Sequence, residues 1–222
     1  MLKFFVCEML IMKEKKGKSY YYFWIFIIGS IIGWLFEGTY SLVKYGKLIN
    51  HSSLVIGPFN TIYGMGSLVF TIILQKINKK NFIQSFLVGF ISGSIIEYVI
   101  SFLMEWALGY TAWNYSKKFM NINGRICLEM SIIWGILGVL WTAVLYPWLK
   151  KILVKLDNVK WRRITKYVIV FLLLDCILTI CSFTRAIDKD KNIAPANSFE
   201  VFLDKTFNKK YLKNMSNDKW RK

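Results

Sequence analysis

Gly29 to Ser41 reads GSIIGWLFEGTYS, and Gly89 to Ser101 reads GFISGSIIEYVIS. Both spell G-x3-G-x3-E-x3-S, sixty residues apart. Each lies in an apolar run long enough to cross a bilayer, and each puts a glutamate inside that run. A helix needs about 20 mostly apolar residues to span a hydrocarbon core about 30 Å thick. Five blocks qualify by length: Tyr20–Val43, Val55–Leu74, Phe82–Trp106, Cys127–Leu149 and Tyr167–Ile187. The fold class this predicts is an all-α integral membrane protein with about five transmembrane helices. The runs do not alternate in polarity, which argues against a membrane barrel.

Working outward, the domain plan is a basic N-terminal tail over residues 1–19, lying on the membrane surface, then a membrane core over 20–149. A basic cytoplasmic loop follows over 150–166, a fifth helix over 167–187 and a basic amphipathic tail over 188–222. Within the core, residues 20–80 and 82–149 read as two copies of one helix pair. Span 1 aligns with span 3 at offset 60, through Gly29/Gly89, Gly33/Gly93, Glu37/Glu97 and Ser41/Ser101. Span 2 aligns with span 4 at offset 71, through Tyr63/Trp134, Gly64/Gly135, Phe70/Trp141 and Thr71/Thr142. A parallel duplication, related by an axis along the membrane normal, accounts for both offsets. Coincidence is the competing account, because small residues at four-residue spacing recur in membrane spans, where they let helices approach closely.

The chain of 222 residues is 55% hydrophobic and carries a formal charge of +17. The basic residues flank the spans, where topology and anionic lipid headgroups call for them. The charge therefore implies the lipid bilayer and anionic headgroups as partners, and no nucleic acid. Fifteen Lys and Arg fall on the N-terminal side of the membrane and five in the two loops of the other side, so the N-terminus is expected in the cytoplasm. The C-terminal tail opposes this count with ten basic residues on the outer side. Its Phe199, Leu203, Phe207 and Tyr211 recur every four residues and predict an amphipathic surface helix. Four cysteines without metal spacing and a single histidine, His51, point to no metal site and no cofactor.

With helices alternating in direction, Glu37, Glu97, Glu105, Arg125, Glu129 and Arg185 all fall at one level, while Asp175 falls near the middle of span 5. A charge at the bilayer centre costs about 2.5–3.5 kcal/mol on insertion scales, so such residues turn inward and pair. Gly33 and Gly93, one turn before each glutamate, open room for a neighbouring helix. The expected site is a polar cavity in which Arg125 is the bidentate partner for the intramembrane carboxylates. The alternative for Glu105, Glu129 and Arg185 is that they mark the membrane boundary. Span 2 opens with Gly57-Pro58 and continues through IYGMG, which includes Tyr63 and Gly64. That composition predicts a helix break beside the cavity.

These residues resemble a known family. Gly57-Pro58-Phe59 with IYGMG at 62–66, the two span glutamates, Trp113-Asn114-Tyr115-Ser116, and Asn123-Gly124-Arg125-Ile126-Cys127 with Trp134-Gly135 look like the type IV ABC-transporter permease-like membrane proteins. The resemblance covers roughly Phe23 to Trp148. It implies a bacterial cytoplasmic-membrane location and transport. Two departures stand out: Asn114 stands where the family pattern has aspartate, and Asn60-Thr61 where it often has Cys-Pro. The chain has no G-x4-G-K-[ST] loop, so an ABC permease of this kind needs a separate ATPase subunit, with 150–166 as the candidate dock. Three functions remain open on the residues alone. The first is a permease with its site at Glu37, Glu97 and Arg125. The second is a membrane enzyme using paired carboxylates on a lipid-linked substrate gripped by Trp113, Tyr115 and Tyr110. The third is a structural or accessory protein held by a buried polar network.

Overall fold

The computed structural model describes residues 18–74, 81–108 and 111–215. Most of the N-terminal tail, Tyr110 and Lys76, Lys79 and Lys80 lie outside them. Among the described residues the chain is helical, apart from loops and one isolated bridge between Ile122 and Ile126. Four helices are long and apolar enough to cross a membrane: α1 (Lys18–Tyr45), α3 (Phe82–Leu108), α4 (Leu128–Leu156) and α5 (Val159–Asp190). A shorter helix, α2 (Thr61–Leu74), follows α1, and two short helices close the chain, α6 (Ser198–Thr206) and α7 (Lys209–Met215).

The second expected span, Val55–Leu74, is helical only from Thr61. The Gly57-Pro58 pair explains the difference. Gly57 takes φ +86°, a conformation closed to most side chains, and the residue before a proline is driven out of the helical region. The irregular stretch 46–60 is kept among the helices because its polar backbone finds partners. Ser52 Oγ donates to the carbonyls of Leu54 and Gly57, both at 2.8 Å. Ile56 N–H donates to Asp175 Oδ1 at 3.1 Å, Val55 N–H to Thr179 Oγ1 at 3.0 Å, and Asn60 N–H to the Ser30 carbonyl at 3.0 Å. Non-helical backbone at membrane depth requires such satisfaction within the protein.

Glycines set the helix spacing. Gly29 lies against Ser67 and Tyr63, and Gly33 against Tyr63, which makes α1 and α2 antiparallel. Gly89 lies against Trp134 and Gly138, and Gly93 against Trp134, which does the same for α3 and α4. Gly64 meets Phe26 and Ser30 of α1, and Gly135 meets Phe86 of α3. Between the pairs, Gly66 faces Trp134, and Trp141 Nε1–H donates to Thr71 Oγ1 at 3.0 Å, so α2 and α4 run in the same direction. The core at this junction is aromatic, with Phe70, Trp134, Trp141 and Tyr146 buried. A π-type turn at Trp141–Leu145 widens α4 just before Pro147, which has no N–H to continue the ladder.

The basic stretch 150–166, expected as a loop, is helical on both sides of a turn at Asp157-Asn158. Asn158 caps α5 by accepting from Trp161 N–H at 3.1 Å. Asp157 takes Arg162 at 2.7 Å and the Tyr21 hydroxyl at 2.8 Å, and the Trp24 indole donates to Thr165 Oγ1 at 3.0 Å. These bonds tie the start of α1 to the α4–α5 turn and explain why so basic a segment is ordered.

The C-terminal tail is likewise not one surface helix. Asn197 caps α6, and the helix ends at Phe207 before α7 begins. Leu203, Phe207, Leu212 and Met215 are buried against Val55, Phe183 and Ala186. Arg185, expected at the level of the glutamates with the membrane boundary as the alternative, is 4% exposed and pairs with Asp204 at 3.0 Å while also donating to the Ile193 carbonyl. The tail therefore spends part of its apolar face on the protein. Phe199 and Phe202 of the same helices stay exposed.

Candidate functional site

At the end of the bundle away from the Asp157-Asn158 turn lies a cavity of about 510 Å³. α1, segment 46–60, α3, the 111–127 loop, α4, α5 and Met215 of α7 all contribute to its wall. Of the residues expected at the site, Glu37, Trp113, Asn114, Tyr115 and Glu129 line it.

The two span glutamates have matched surroundings at one end and different ones at the other. The Tyr63 hydroxyl donates to Glu37 Oε1 at 2.6 Å, and the Trp134 indole donates to Glu97 Oε2 at 3.0 Å. The Tyr63 and Trp134 rings pack on each other with centroids 5.2 Å apart. One aromatic bridge thus links the two carboxylates. Glu97 then receives a second donor, the Tyr115 hydroxyl, at 2.8 Å, and is 7% exposed. Burial, followed by the adjacent Glu97 charge, pushes the Tyr115 phenol up, so it serves as a neutral donor. Glu97 is sealed behind Tyr115 and does not line the cavity, whereas Glu37 does.

Arg125 is not the partner of either span glutamate. It pairs with Glu105, reaches Ser101 Oγ at 3.4 Å and lies over the rings of Tyr98 and Phe102. Tyr115 and Trp134 instead donate to the two Glu97 oxygens. Neither Arg125 nor Glu105 lines the cavity. Glu129 is taken by Lys118 at 2.7 Å in an exposed pair.

The loop 111–127 is a compact turn. Trp113 Nε1–H donates to the Arg125 carbonyl at 2.8 Å, and Tyr115 N–H to the Gly124 carbonyl at 2.8 Å. Asn123 and Gly124 both take positive φ, 52° and 66°, which asparagine and glycine tolerate. Asn123 is exposed and bonds Tyr98, so it supports the loop from outside the cavity. Asn114 Oδ1 accepts from Ser116 N–H at 2.8 Å, but its Nδ2 is buried with no partner.

Two cavity residues escaped the sequence reading as site residues. His51 Nε2 and Asn60 Oδ1 are buried and, like Asn114 Nδ2, unpartnered. Three residues with unsatisfied polar atoms, two from the 46–60 stretch and one from the 111–127 loop, line one void. Buried polar atoms without partners are uncommon, and each costs on the order of 1–3 kcal/mol. For His51 the available signal was that it is the chain's one histidine. For Asn60 it was the departure from the family's Cys-Pro. Burial pushes the His51 imidazole down, and the Glu37 charge offsets this only in part. Asp175, placed mid-span by sequence, is 2% exposed and anchors Ile56, with its Oδ2 unpartnered. No group of three or more His, Cys, Asp or Glu suited to a metal occurs among the described residues.

Four helices of this length and hydropathy define a multi-pass helical membrane protein. The family model described as "Putative ABC-transporter type IV" matches residues 24–180, and the chain belongs to that family. No curated protein and no solved structure matches the chain.

Proposed function

We propose that the chain is the membrane-embedded, permease-type subunit of an ABC transporter, and that the cavity at Glu37 is its substrate site. The observation that carries this reading is the convergence of His51, Asn60 and Asn114 on a void of about 510 Å³. Ligand pockets run from about 300 to 1,000 Å³ and present a few convergent polar groups. A purely structural network would leave no such groups open. Glu97, closed in by Tyr115 and Trp134, is the structural member of the pair, and Glu37 the functional one.

The duplication supports an interface site. Contacts across α1–α2 recur across α3–α4 under the same two offsets. Gly29–Ser67 corresponds to Gly89–Gly138, Gly33–Tyr63 to Gly93–Trp134, and Phe26–Gly64 to Phe86–Gly135. Tyr63 and Trp134, the equivalent glutamate donors, meet where the two pairs join. Binding between duplicated units is a recurring plan in membrane transport.

In this reading the N-terminus and the α4–α5 turn face the cytoplasm of a bacterial cell, and the cavity lies toward the outer side. The ATPase subunit docks at the basic helix ends around Asp157-Asn158. Native-membrane purification of the tagged chain after mild crosslinking tests this. An ATPase should accompany it and should be lost when Lys150, Lys151 and Lys155 are changed to glutamate. Recovery of the chain without any ATPase would defeat the permease assignment.

A further inference from the structure

We infer that the cavity selects an organic ammonium ion, an amine with an apolar body. This deepens the reading of the cavity as a substrate site and rests on it. The charges decide the class. Two carboxylates line the void. Glu129 is neutralised by Lys118 at 2.7 Å, whereas Glu37 receives only the Tyr63 hydroxyl. No cation pairs with Glu37 among the described residues. The two lining lysines are exposed and already engaged, Lys118 with Glu129 and Lys44 with the Tyr40 hydroxyl at 2.7 Å. Glu37 is therefore the one lining carboxylate with no cationic partner among the described residues, while both lining lysines are exposed.

The neutral polar groups agree. Asn60 is 7% exposed, and its Oδ1 is an acceptor without a donor. With the imidazole neutral, His51 offers a further nitrogen at the same void. An ammonium supplies the N–H groups that Asn60 and Glu37 lack. Aromatic rings of Tyr40, Trp113 and Tyr115 line the same space and suit a cation's apolar carbons and charge. Met104, Ile180, Phe183 and Met215 form an apolar wall.

Competing ligands fit less well. A divalent metal wants several carboxylate or imidazole ligands, and no group of three is present among the described residues. A bare monovalent ion would leave most of a 510 Å³ void unfilled, since one water takes about 30 Å³. A carboxylate or phosphate would face Glu37.

The test uses the purified full chain in detergent, without ATP, titrated calorimetrically at pH 7.5 against a shape-matched set: 2-phenylethylammonium, 2-phenylethanol and 3-phenylpropanoate. Micelle-only titrations are subtracted. The ammonium should bind at least tenfold more tightly than the alcohol, and the carboxylate should bind most weakly. Glu37→Gln keeps an acceptor for Tyr63 and should erase the preference. Asn60→Asp adds a second negative group at the same void and should enlarge it severalfold, which keeps the test decisive if Glu37→Gln does not fold. Equal or tighter binding of the alcohol or carboxylate, or a preference unmoved by both variants, overturns the inference. Because no ATPase is present, failure here leaves a permease with another substrate standing. Failure to recover an ATPase leaves amine binding standing.

Discussion

Gly89→Ala tests the helix packing on which the whole site depends. A Cβ at Gly89 would lie 2.5 Å from the Trp134 carbonyl oxygen and 3.0 Å from Gly138 Cα, both backbone atoms that cannot rotate away. Ordinary contact begins near 3.4 Å, so α3 and α4 must separate locally by about 0.9 Å. Overpacking of this kind costs about 1–3 kcal/mol. The same displacement would stretch the 3.0 Å bond from Trp134 to Glu97 beyond hydrogen-bond range, adding about 1.5–3 kcal/mol for a charged acceptor. Alanine returns about 1 kcal/mol through its better helix propensity. The net expectation is a loss of about 1.5–5 kcal/mol. Gly38→Ala is the control, since its Cβ would meet only Leu48 Cδ1 at 3.5 Å and the Ile49 carbonyl at 3.9 Å. There the propensity gain stands alone, and stability should rise by up to about 1 kcal/mol. Reversible unfolding in mixed micelles with increasing SDS, followed by tryptophan fluorescence, reads both variants. If Gly89→Ala proves as harmless as Gly38→Ala, the close α3–α4 crossing is wrong, and with it the placement of Trp134 on Glu97.

Other outcomes follow from the same contacts. Tyr115→Phe removes one of the two donors to buried Glu97 and should cost about 1.5–3 kcal/mol in the same assay, most of it recovered by adding Glu97→Gln. Asp204→Ala strands the buried Arg185 guanidinium and should cost about 3–5 kcal/mol, whereas Lys118→Ala, in an exposed pair, should cost less than about 1 kcal/mol. Limited proteolysis should then release α6 and α7 from the Asp204 variant first. His51 gives a pH signature. Its folded pKa is lowered, so the unfolded chain takes the proton first, and stability should fall as pH drops from about 6.5 toward the folded value, then level off. His51→Gln should flatten that segment of the stability–pH curve. An unchanged slope would mean the imidazole is not buried beside Glu37.

The two G-x3-G-x3-E stretches, the run lengths and the flanking lysines determined a helical membrane chain, and the sequence also marked the break at Gly57-Pro58. Those features are local, because hydrophobic length, glycine spacing and proline geometry act within one segment. Tertiary structure alone decided the partners. Depth follows from position along a helix, but pairing follows from azimuth and from which donors lie within reach. Trp134 and Tyr115 claim Glu97, so Arg125 falls to Glu105 and Ser101. The same holds for the tail, where a four-residue apolar rhythm suits a lipid surface or a protein groove equally, and only the proximity of Phe183 and Val55 selects the groove. His51 and Asn60 come from a stretch with no periodicity to read. They became site residues only because Asp175 and Thr179, more than a hundred residues later, hold that stretch against the cavity.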